Sequence, residues 1–187
     1  MKAILFICVI ISGISFSQEI EVPKEKYPFS KIYEWRGKGA ILINKDPNEI
    51  SKEVNLTLVD ETGNTKWNES FSPKSDEYYL VMSEESKYIY YLDYLGVVNN
   101  KLYFHQISQA GTVKTNSVDI LSLFKGMGIM TPDDVEFIDA TNTTRALVYQ
   151  FRKENKKEKS YEQIFVYMTH HNMRPYVCKG SPILKED

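Results

Sequence analysis

The chain has 187 residues, 42% hydrophobic and 13% aromatic, with a formal net charge of -2 at pH 7. That length suits one domain, and the near-neutral charge excludes a general electrostatic attraction to nucleic acid. Thirteen tyrosines and nine phenylalanines argue for a folded sheet protein and against disorder.

The first residues read MKAILFICVIISGISFSQE. Lys2 supplies a positive n-region, Ala3 to Ile11 an apolar h-region, and Ser15-Phe16-Ser17 a small-x-small cleavage site, the pattern of a secretory signal. The apolar run is short for a bilayer span, so no transmembrane segment is expected. Residues 1–17 therefore read as a signal peptide, and the mature chain, starting at Gln18, as secreted, periplasmic or attached to the cell surface. This ending resembles the export signals of the Bacteroidota group of bacteria. Cleavage removes Cys8 and leaves Cys178, so no internal disulfide is expected and the fold must rest on its core.

Residues 18–36 read as a leader: 18–30 are polar and carry Pro23 and Pro28, and Ile32, Tyr33 and Trp35 form a first apolar cluster expected to pack onto the domain edge. A β-rich domain follows over 37–178. Ala40 to Ile43 is a short strand. Val54, Leu56 and Leu58 alternate with Asn55 and Thr57, which predicts a strand with one wet face. Asp60 to Asn64 is a turn, and Thr65 to Phe71 the returning strand. Apolar and aromatic runs at Tyr78 to Met82, Tyr88 to Val98 and Leu102 to Ile107 predict an antiparallel meander. Residues 118–126 read VDILSLFKG, a short helix capped by Ser117 or Asp119, with Ile120, Leu121 and Phe124 on one face and Gly126 as its stop. Met127, Ile129 and Met130 would cover core from the loop beyond. Arg145 to Phe151 and Tyr161 to Met168 are further strands around the charged run Arg152 to Lys159, a solvated hairpin loop. Residues 179–187 read as a tail.

Setting Gly63 over Gly111 gives a shift of 48 residues that also places Leu56 over Phe104, Val59 over Ile107, Ile41 over Ile89 and Ile43 over Tyr91. A period of this size is expected of propeller blades. It suggests repeat-like units near 37–83 and 84–136, with a partial one at 137–178. The segment LTLVDETGNTKW, with Asp60, Gly63 and Trp67, resembles the aspartate, turn-glycine and strand-tryptophan pattern of quinoprotein-type β-propeller blades. The second copy departs from it, with Ser108 and Thr115 at the matching positions. The resemblance implies a mostly β, propeller-like architecture, partial because three units do not close an ordinary propeller, and it carries no quinone site. The alternative is a β-sandwich or barrel with one short helix outside.

No assembled catalytic motif is legible. The histidines are His105, His170 and His171. None stands in an HxH or HExxH spacing, and His170 and His171 would point to opposite faces of a strand. Cys178 has no orienting acid beside it, and Ser83 no nucleophile-elbow glycines. The acidic pairs Asp76-Glu77, Glu84-Glu85 and Asp133-Asp134 fall in predicted turns. No residue set calls for a metal or cofactor. The favoured expectation is a secreted or surface-associated binding or scaffold protein, with a protein or glycan partner met through aromatic strands, Tyr90 and Tyr103 being the candidate ligand residues. Strand edges would favour homo-oligomers by edge pairing. The alternative is a hydrolase or metal-dependent enzyme using His105, His170 or His171.

Overall fold

Alternating apolar residues, broken by glycine and asparagine turns, build a chain of antiparallel hairpins. The computed structural model describes residues 3–11, 14–22, 31–44, 53–75, 78–94 and 96–184, with side chains from residue 31 onward. The chain divides into two compact units, residues 1–73 and 74–187, where length alone suggested one domain.

The first unit begins with a hairpin of β1 (Ala3–Ile11) and β2 (Ile14–Val22), paired from Ala3↔Val22 to Ile11↔Ile14. It then forms a four-stranded sheet in sequence order: β3 (Lys31–Trp35), β4 (Gly39–Asn44), β5 (Val54–Val59) and β6 (Thr65–Phe71). β3 opens this sheet inside the stretch read as a leader. Ala40 to Ile43 are buried without alternation, the pattern of a strand covered on both faces. At the β3–β4 turn, Gly37 has φ +70° and Gly39 φ +122°. A side chain at Gly39 would bring a Cβ to 2.0 Å from the Val59 carbonyl oxygen, so the close approach of β4 to β5 needs glycine there.

The second unit holds two sheets. One runs β7 (Tyr79–Val81), β8 (Tyr88–Leu92), β9 (Lys101–Ser108) and β10 (Val113–Asp119). The other runs β11 (Glu136–Asn142), β12 (Ala146–Asn155), β13 (Ser160–Thr169) and β14 (Pro175–Lys179), with β15 (Ile183–Leu184) also paired to β13. The residues read as a tail thus add a short strand. Between the sheets lies α1 (Leu121–Lys125). It is shorter than the sequence suggested because Val118 and Asp119 pair with Leu102 and Lys101 in β10. Neither Ser117 nor Asp119 caps it, since the cap position falls on Ile120 and lacks a side-chain bond.

Both sheets of this unit share one core. Tyr90, Leu92, Leu102 and Phe104 come from one sheet, and Leu147, Tyr149, Phe151, Ile164, Val166 and Met168 from the other. Ile120, Leu121, Phe124 and Ile129 close it from the connecting segment. Phe124 meets Phe151 edge to face, with ring centroids 5.6 Å apart. Each such apolar side chain contributes about 1.5–3 kcal/mol on full burial. Met130 lies outside this core and is 62% exposed.

The propeller-like reading fails here, and so does the barrel alternative. The sheets are separate and open, each ending in strands paired on one side, so they do not close on one another. The motif at Asp60, Gly63 and Trp67 reports a hairpin and nothing larger. Asp60 Oδ1 accepts from the Thr62 and Asn64 amides at 3.0 and 2.9 Å and from the Thr62 hydroxyl at 2.7 Å. Trp67 is half-buried on β6, at the sheet edge. The 48-residue spacing has a local cause. Gly63 N–H bonds the Asp60 carbonyl and Asp60 N–H the Asn64 carbonyl, and Gly111 and Ser108 repeat both bonds with Ser108 and Thr112. Strand register does not repeat: Ile89 pairs with Ile107, whereas Ile41 pairs with Leu58 and not Val59. A bulge between Leu58 and Val59 in the β5–β6 ladder has no counterpart between β9 and β10.

Candidate functional site

The polar side chains of the second unit fall into two networks on opposite faces of β9. Successive residues on a strand point to opposite sides, so His105 and Gln106 belong to different surroundings.

On one face His105 is 1% exposed and Asp93 is fully buried. His105 lies opposite Tyr91 on β8 and Thr115 on β10. Its Nε2–H donates to Asp93 Oδ1 at 3.0 Å, and its Nδ1 accepts from the Thr115 hydroxyl at 3.0 Å. A carboxylate can only accept, so it fixes this tautomer. The second Asp93 oxygen is buried without a hydrogen-bond partner among the described residues. Thr115 is exposed on the edge strand. The order hydroxyl, imidazole, carboxylate is one in which a base can draw a proton from an oxygen nucleophile. Sequence reading offered His105 as one of three alternative histidines and named no partner for it. Asp93 was missed because it follows the end of β8, twelve residues away, with no spacing motif to mark it.

On the other face Tyr90 is fully buried, its ring in the core and 6.0 Å from that of Phe104. Its hydroxyl donates to His170 Nδ1 and accepts from Gln106 Nε2. Burial pushes the Tyr90 phenol well above its ordinary range. Tyr149, whole in the core, is shifted the same way by burial and then by the Asp93 charge.

His170 and His105 thus serve separate networks, and His171 is exposed beside His170. Asn172 closes its own turn by accepting from the Thr169 hydroxyl and the Arg174 amide. Tyr103 is half-buried, with Lys74 Nζ 4.4 Å from its ring centroid and Tyr94 edge-on at 5.9 Å. Glu84 and Glu85 are exposed, and Asp133 and Asp134 sit in a 3-10 turn. Asp134 Oδ2 holds the Thr131 and Met130 amides at 2.8 Å, which lowers its carboxyl pKa. Asp76 and Glu77 lie outside the described residues. Among the described residues no group of three or more His, Cys, Asp or Glu side chains is placed to hold a metal ion. No described helix is long and apolar enough to cross a membrane.

Away from the core, β13 and β14 present a face that sequence reading did not single out. Tyr167 and Tyr176 are direct cross-strand neighbours, 39% and 50% exposed. Phe165 lies beside Tyr167 with ring centroids 6.5 Å apart, and is paired with Cys178, a free and exposed thiol. Burial, with Cys178 next to it, raises the Tyr167 phenol. Arg174 lies over the Tyr176 ring at 5.7 Å. The next row holds Gln150 bonded to Gln163 at 3.2 Å. Period-two alternation in YEQIFVYMT marks these residues as one face, but the alternation does not say which face is wet.

The chain matches no family model, no curated protein and no solved structure.

Proposed function

We propose that this chain is an exported binding protein that recognises a glycan through the outer face of β13 and β14. The observation that supports this is the exposed cross-strand pair Tyr167 and Tyr176. Flat aromatic rings stack against the C–H face of a sugar, while phenol and amide groups bond its hydroxyls. Phe165 extends the apolar strip, and Gln150, Gln163 and Arg174 supply polar groups at its margin. The test is binding of the mature chain to envelope and extracellular polysaccharides, followed by calorimetry on any that bind. Tyr167→Ala and Tyr176→Ala are expected each to weaken binding about tenfold or more, on the scale of one lost aromatic contact. Unchanged binding in both variants removes this face from recognition.

An enzyme is the second reading, favoured by the chain from the Thr115 hydroxyl through His105 to Asp93. It requires that Thr115 be acylated by an activated ester or labelled by a fluorophosphonate, and that Asp93→Asn abolish the reaction. Absence of label at Thr115 disposes of it.

A further inference from the structure

Tyr90 and Gln106 are paired across β8 and β9 and are buried. They place a hydroxyl and an amide on a face that otherwise carries Leu92, Leu102 and Phe104. Buried polar groups of this kind destabilise the fold unless they are bonded. Their partners come from the β13–β14 turn. Gln106 Nε2 donates to the Tyr90 hydroxyl and to the His170 carbonyl, both at 2.9 Å, with Met173 Sδ at 3.6 Å. Met173 holds its place with φ +52°, a left-handed conformation that few non-glycine residues adopt. The far side of His170 is tied to the β11–β12 turn, where its Nε2 lies 2.8 Å from the Thr143 carbonyl oxygen. Next to that bond, Asn142 Nδ2 donates to the Tyr88 carbonyl at 2.6 Å.

Thr143 O can only accept, so Nε2 carries a proton. With a neutral imidazole, Tyr90 accepts from Gln106 and gives its own proton to the Nδ1 lone pair, and every bond of the set is made. A second imidazole proton would face the Tyr90 oxygen. The displaced phenol proton would then have Met173 Sδ, 4.0 Å away, as its nearest bonded alternative.

We infer that His170 is a proton-operated latch: neutral, it fastens the β13–β14 turn to the β8–β9 face, and protonated, it lets that turn go. The groups that bond or stack on the imidazole carry no formal charge. β8 contributes Tyr88, with its ring centroid 5.2 Å away, and Tyr90 at 5.7 Å. β9 contributes neutral Gln106, and the β11–β12 turn contributes the Thr143 carbonyl to the ring and the Arg145 carbonyl to the His170 amide. No acidic side chain bonds it among the described residues. Burial accordingly lowers its pKa, against a smaller opposite effect of the Thr143 bond. With the folded value depressed, the unfolded chain takes up its proton first as pH falls. The latch is at full strength above about pH 6.5 and is lost as pH falls through the folded value.

The test uses the whole chain labelled with 15N. At neutral pH the His170 ring should be the Nε2–H tautomer, with a titration midpoint below about 6.5. Amide exchange at His170 and Met173, corrected for its intrinsic pH dependence, should accelerate several-fold between about pH 7.5 and pH 5, as the depressed imidazole takes up its proton. His170→Asn offers Tyr90 an acceptor that does not titrate, and should abolish that acceleration. Tyr90→Phe removes a bond to the neutral ring and should raise the midpoint. An Nδ1–H tautomer, a midpoint at or above 6.5 in the wild type, or the same exchange profile in His170→Asn overturns the proposal. The tautomer and midpoint need no variant, so a variant that fails to fold leaves the proposal testable.

Discussion

Asp93 shows how much of a buried residue's role is invisible from its neighbours in sequence. Its carboxylate orients His105, and its second oxygen has no bond among the described residues. Asp93→Ala would remove the carboxylate that accepts from the buried His105 imidazole, and is expected to cost about 1–3 kcal/mol in urea denaturation. Gly39 is a second position where one atom decides. At φ +122°, with the Val59 carbonyl oxygen 2.0 Å from a built Cβ, Gly39→Ala must push β4 from β5. Its expected cost is about 2–3 kcal/mol, read from tryptophan fluorescence, since Trp35 and Trp67 both belong to the first unit. A loss under about 0.5 kcal/mol would mean the turn relaxes freely.

At the scale of elements, the β5–β6 hairpin is organised by one carboxylate. Lys66, 2.9 Å away, and the Thr62 and Asn64 donors hold the Asp60 carboxyl far below the usual carboxylate range. A depressed carboxyl stabilises the fold above its unfolded pKa, near 3.9, and the benefit is lost as pH falls through the folded value. The hairpin should therefore resist mild acid and weaken only in strong acid. Asp60→Asn should lower stability at neutral pH and flatten the acid limb of the Trp67 fluorescence titration. Retention of the wild-type acid limb would assign it to other groups. The matching turn at Ser108 uses a neutral hydroxyl to hold the Thr112 amide at 3.0 Å, so its bonds carry no such acid dependence.

For the molecule as a whole, the second unit depends on the segment joining its sheets. Phe124 is fully buried between them, and Phe124→Ala should cost about 3–5 kcal/mol, seen as a lower urea midpoint by tyrosine near-ultraviolet circular dichroism. Leu123→Ala, one residue away and 39% exposed, should change little. If the chain is exported as its first residues suggest, intact mass of the mature protein should show residues 1–17 removed, taking β1 and the start of β2 with them. A secreted chain retaining Met1 and Lys2 would overturn the cleavage reading.

What the sequence by itself determined is local. Alternation and apolar-aromatic runs placed the strands at 54–58, 65–71, 102–107 and 161–168, and Gly63 with Asp60 and Asn64, and Gly111 in the matching segment, marked the turns, because these signals act between residues a few positions apart. The similar spacing of those turns was legible for the same reason, and it misled: a turn motif recurs wherever a hairpin needs it, whether or not the sheets close into a ring. Tertiary structure alone decided that the sheets stay open, that Tyr90 is core while Tyr167 and Tyr176 are surface, and that His105 meets Asp93 while His170 meets Tyr90. Period two says that residues share a face. Which face is buried depends on what the rest of the chain brings against it.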